Sequence, residues 1–153
     1  MTAHWRAVTV VAAVLAVACV DAGTGTSVDS SSTGASDDPG GNWNATQYTF
    51  TSASNSSVSV DLVVGGGSAT MVIGAGKLTA TATAPGVVSA FSGDLMVTGG
   101  DLTLTNTPRT ATGSFSRTNN QMTLDLSGSL ITYDFDHDGV QDPATLHALL
   151  VTH

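Results

Sequence analysis

From about residue 42 onward, apolar and polar positions alternate with a period of two, the spacing of a strand with one buried face. Tyr48 and Phe50 stand between Thr49 and Thr51. The same period predicts a strand over 58–64, with Val58, Val60, Leu62 and Val64 on one face and Ser59 and Asp61 on the other. Segments 69–73 and 78–84 form the next pair across Gly74-Ala75-Gly76, and Pro85-Gly86 ends the second. Residues 87–97 read as one strand, with a bulge expected at Ser92-Gly93 because glycine inside a strand often marks one. Thr98-Gly99-Gly100-Asp101 turns the chain into Leu102 and Leu104, and Thr118-Asn119-Asn120-Gln121 turns Phe115 and Arg117 into Met122, Leu124 and Leu126. These two hairpins match at a spacing of twenty, as in Leu102 with Met122 and Leu104 with Leu124. Ile131, Tyr133 and Phe135 share a face, and residues 145–153 supply a last strand with apolar residues on both faces.

Eight to ten short antiparallel strands define an all-β domain over residues 42–153, as an up-and-down barrel or, alternatively, a β-sandwich. Closure favours the barrel, because a single sheet of this length leaves an unprotected edge. Buried positions are expected at Tyr48, Phe50, Leu102, Leu104, Phe115, Leu124 and Tyr133. Ala80, Ala82 and Ala90 are expected to face inward and leave room for a small apolar ligand.

The chain before the domain obeys other rules. Met1–Arg6 is positively charged and residues 7–18 are small and apolar, too short to span a bilayer but suited to a secretory signal over residues 1–18. The run ends in Leu15-Ala16-Val17-Ala18-Cys19, around the only cysteine. It resembles a bacterial lipobox, which implies lipidation of Cys19, export, and anchoring to the cell envelope. Ala16 stands where that family usually has leucine. Ordinary secretion would cut the same Ala18–Cys19 bond, but would leave one unpaired thiol at the terminus. Residues 19–41 are then a lipidated cysteine and a Gly/Ser/Thr/Asp tether reaching roughly 25 Å, enough to hold a domain clear of a membrane.

Charge adds to the picture. The whole chain carries a net −8, with twelve aspartates and no glutamate. Cleavage after residue 18 removes Arg6 and leaves Lys77, Arg109 and Arg117, giving 3 − 12 = −9. Such a surface repels nucleic acid and attracts cations.

Gly41-Asn42-Trp43 at the start of a hairpin meander is similar to the opening of lipocalin-like domains, including small lipocalin-like lipoproteins of bacteria. That resemblance implies that Trp43 closes one end of a barrel. It fixes no ligand-contacting residue.

Polar chemistry is concentrated in 134–142. Asp134, Asp136, Asp138 and Asp142 stand at offsets 1, 3, 5 and 9, with Gly139 at offset 6 and the carbonyl of Val140 at offset 7. A hard cation needs several oxygens converging from one short loop, and this spacing supplies them for Ca²⁺. The stretch resembles the calcium loops of dockerins and thrombospondin type 3 repeats. Thr145 replaces the bidentate glutamate of a helical EF-hand, so affinity is expected on the order of 10⁻⁴–10⁻³ M, with a structural role. The alternative is a solvated acidic turn.

Other chemistry finds little support. Gly76-Lys77 lacks the first glycine and the Ser/Thr of a phosphate loop, and the chain has no Gly-x-Ser-x-Gly elbow. The expectation is a monomeric, non-enzymatic, lipid-anchored envelope module that binds a small apolar ligand or an envelope component. The other reading is a structural or adhesive domain for a protein or glycan.

Overall fold

The computed structural model describes residues 38–153; the expected signal, Cys19 and most of the tether lie outside the described residues. Nine strands follow in order: β1 (Gly41–Ser52), β2 (Ser59–Asp61), β3 (Ser68–Gly74), β4 (Lys77–Ala84), β5 (Val87–Thr98), β6 (Asp101–Asn106), β7 (Arg109–Thr118), β8 (Gln121–Tyr133) and β9 (Asp142–Thr152). All pairings are antiparallel. Neighbours in sequence are neighbours in the sheet from β3 to β9, and β1 pairs with both β3 and β9. The result is a closed eight-stranded up-and-down barrel, with β2 appended to the second half of β1.

The two-residue period decides inside from outside. Leu78, Ala80 and Ala82 of β4 point in while Thr79, Thr81 and Thr83 point out. Tyr48, Phe50, Leu102, Leu104, Phe115, Leu124 and Tyr133 are all buried, as their spacing predicts. Trp43, Met71, Ile131 and Leu146 fill the same core to 0–1% exposure. An apolar interior under a Ser/Thr/Asp exterior inverts the pattern of a barrel that faces lipid.

Several expectations change. The strand foreseen over 58–64 shrinks to three residues, since Gly65 and Gly67 donate back to Asp61 and Leu62 and coil the chain into turns. Val64 is consequently 83% exposed. No bulge falls at Ser92-Gly93; the register with β4 runs unbroken. Gly93 is required for another reason, because a Cβ there would meet the Thr105 carbonyl at 2.7 Å and Leu104 at 3.0 Å. The irregularities lie elsewhere. Thr46 is extra in β1, so the inward set shifts parity from Trp43 to Tyr48, and the β8–β9 register shifts between Ser127 and Thr132, where residues 128–131 stand opposite Ala144 alone. Ala80 and Ala82 do face inward, but Ala90 pairs with Thr81 and faces out.

Both ends of the barrel are furnished. At one, Trp43 lies under the Arg117 guanidinium, 5.0 Å from the ring centroid, and its indole N–H donates to the Pro39 carbonyl at 3.0 Å. Arg117 also donates to the carbonyls of Asp38 and Gly40, so ordered contacts begin before residue 42. At the other end runs an aromatic chain: Tyr48 edge-on to Phe50, Phe50 stacked on Tyr133 at 5.0 Å, and Tyr133 edge-on to Phe135. This chain delivers the backbone into the aspartate loop.

Candidate metal centre

The loop 134–141 connects β8 to β9 and is braced at both ends. Tyr133 pairs with Asp142 across the two strands, and Phe135 packs against the core. Two left-handed residues, His137 (φ 61°) and Gly139 (φ 88°), fold the intervening chain back on itself. Glycine suits the second without strain.

Carboxylates organise the turn from within. Asp134 Oδ2 accepts the Gly139 N–H at 2.9 Å, Asp136 Oδ1 that of Asp138 at 3.2 Å, and Asp138 Oδ1 that of Val140 at 2.7 Å. Each acid thus spends one oxygen on the backbone. Oxygens of Asp134, Asp136 and Asp138 lie within 4.8 Å of one another. Asp134 Oδ1 is buried and accepts no hydrogen bond. Leaving such an atom unpaired costs about 1–3 kcal/mol, more when it carries charge. An all-oxygen set with one orphaned acceptor fits a hard cation and offers nothing to a soft one.

Asp142 opens β9, and its Oδ2 takes the Phe135 N–H at 3.4 Å, outside the group of three. Val140 gives its N–H to Asp138 and is itself exposed. Cys19 lies outside the described residues.

Three features were not foreseen. Asp61 ties down the turn after β2, its Oδ1 accepting from Val63 at 2.9 Å and Val64 at 3.2 Å, and its Oδ2 from the Thr49 hydroxyl. His147 meets Asp125 at 2.7 Å on the outer wall, a cross-strand pair that only the β8–β9 register reveals. The third is a cleft of about 450 Å³ between β5 and β8, lined among others by Val88, Ala90, Arg109, Leu130, Thr132 and Asp134.

No family model, curated protein or solved structure matches the chain. The fold defines a closed antiparallel β-barrel, and its function rests on the chemistry of its own residues.

Proposed function

We propose that the protein is an exported, lipid-anchored module of a bacterial envelope, non-enzymatic, whose filled barrel holds a calcium loop at one end. Asp134 Oδ1, buried without a partner beside two further carboxylates, is the observation that carries this reading. Asp134, Asp136 and Asp138 would hold the ion, joined by the Val140 carbonyl and Asp142 once the loop tightens. Its effect is to turn mutual repulsion of the acids into a brace between β8 and β9. Equilibrium dialysis tests it: one calcium ion per chain is expected, lost in Asp134→Asn, and no saturable uptake by the wild type would leave only a solvated turn.

The anchor rests on the sole cysteine at the end of a signal-type run. One lipid chain holds weakly, at about 0.8 kcal/mol per buried CH₂, and several hold firmly. Cys19→Ser is expected to move the protein from the membrane to the soluble fraction; unchanged partitioning would contradict the anchor. A small apolar ligand would have to displace side chains already packed inside the barrel, so recognition falls to the outer wall and the ends.

A further inference from the structure

The inward register of β7 begins with Arg109 and ends with Arg117, with Ala111, Gly113 and Phe115 between them. Arg117 is occupied by Trp43 and by the carbonyls of Asp38 and Gly40. Arg109, at the opposite end of the barrel, has no hydrogen-bond or ion-pair partner among the described residues. The β4–β5 turn, the β6–β7 turn and the aspartate loop leave the barrel at this same end. Pairing of β5 with β6 begins only at Asp94, and pairing of β7 with β8 stops at Ser127. The cleft lies where those ladders are missing, and its volume of about 450 Å³ falls within the roughly 300–1,000 Å³ of small-molecule sites.

Its lining is rich in unpaired donors. Tyr133 is only 4% exposed and its ring stacks on Phe50. The Tyr133 hydroxyl has no hydrogen-bond partner among the described residues, yet it is not sealed from solvent, and the cleft is the space this residue lines. Gln141 Oε1 accepts from the Thr132 hydroxyl at 3.4 Å, which leaves the amide nitrogen to donate elsewhere. On β5, Ser89 and Phe91 pair with the buried Ala82 and Ala80 and so share the inward register. Phe91 packs against the core and gives the cleft an apolar side.

A guanidinium, a phenol and an amide on one cleft call for a ligand that carries negative charge and further oxygen acceptors. The phenol weighs most, because a buried residue with an unpaired donor is uncommon. A bare inorganic anion fills only a small part of the volume. Nucleic acid is repelled by a chain of net charge −8. A compact carboxylate bearing several hydroxyl groups fills the space and answers each donor.

We propose that this cleft binds a sugar acid, with its carboxylate on Arg109 and hydroxyl groups on Tyr133 and Gln141, and that calcium in the adjoining loop strengthens the binding. The second half rests on the calcium reading given above. Asp134 and His137 belong to the loop and line the cleft as well. Without an ion, the charges of Asp134, Asp136 and Asp138 oppose an incoming anion; a divalent cation among them removes that opposition. Linkage makes the effect reciprocal, so the sugar acid tightens calcium by the same factor.

Titration calorimetry with galacturonate and glucuronate, in millimolar calcium and in chelator and against protein-free blanks, tests both halves. Saturable binding of at least one acid in the millimolar range is expected, with galactose, which lacks the carboxylate, weaker by about tenfold or more. Arg109→Gln at this exposed position should weaken it by about tenfold, and Tyr133→Phe, which keeps the stacked ring, by about fivefold. Lys77→Gln, whose ion pair with Asp94 lies outside the cleft, should leave it unchanged. A galacturonate trimer that binds more tightly than the monomer supports the proposal with an acidic polysaccharide as the source; equal binding supports it with a free sugar acid. No saturable binding of either acid, equal binding of galactose, or undiminished binding by Arg109→Gln would overturn it. Equilibrium dialysis with calcium keeps the two readings apart. Calcium uptake with sugar-acid binding unchanged in chelator overturns the coupling. No calcium uptake overturns the calcium reading, while Arg109-dependent binding in chelator still supports the cleft.

Discussion

At Gly113 the strands β7 and β8 come so close that a Cβ would lie 1.7 Å from the Asp125 carbonyl oxygen and 3.0 Å from the Leu126 Cα. Backbone on both sides cannot yield, so Gly113→Ala is expected to lose about 3 kcal/mol or more, or to fail to fold. Gly74 has an ordinary φ and nothing within 4 Å of the corresponding position, so Gly74→Ala should change little. Urea melts of the pair check the contrast. Tyr48 carries a second prediction at this scale. Burial pushes its phenol above the ordinary value of 10.0. The folded state therefore keeps the proton after the unfolded chain has lost it, and this contribution to stability is complete below pH 10 and erodes as pH rises beyond it. Melting temperature should fall on going above pH 10, and Tyr48→Phe should flatten that decline. Tyr133 is shifted the same way, by burial and then by the charge of Asp134.

Among the elements, β2 shows how a side chain can replace a strand. Its periodic valines predict a strand of seven residues, yet three glycines follow, and Asp61 gathers the amides of Val63 and Val64 into a turn. Asp61→Ala should cost about 1–3 kcal/mol, since it strips a charged acceptor from several donors. Asp101→Asn, exposed at the head of β6, should cost nothing measurable; thermal melts distinguish the two. Hairpins at Gly99-Gly100 and Asn119-Asn120 were legible because each turn needs a residue with positive φ, and the chain supplies Gly99 and Asn119 there. The kinks were not legible. Thr46 carries no sequence mark of a bulge, and Gly93 carries a mark that close packing against Leu104 accounts for instead. Inward alternation identified the core because period two leaves only two choices of face. It misassigned Ala90, where Ser89, Ala90 and Ser92 are all small and give little contrast between faces.

For the molecule as a whole, the loop gathers four of the twelve aspartates into nine residues of a chain whose net charge is −8. Spacing alone identified Asp134, Asp136 and Asp138 as a group, because offsets of two bring carboxylates to one side of a tight turn. Spacing could not show that Asp142 would be drawn into the β8–β9 ladder, nor that Arg109 would line a cleft built from strands far apart in sequence. Calcium should stabilise the barrel by RT ln(1 + [L]/Kd), about 1.4 kcal/mol at ten times Kd, which raises the melting temperature by several degrees for a domain of this size. Magnesium should do less, since it holds its water and demands a tighter octahedral shell. The most direct test is a thermal melt of the chelator-treated protein with millimolar calcium restored. A rise of several degrees, absent in Asp136→Ala and retained in Asp101→Asn, is the predicted result; a wild-type curve that calcium does not move would contradict the account.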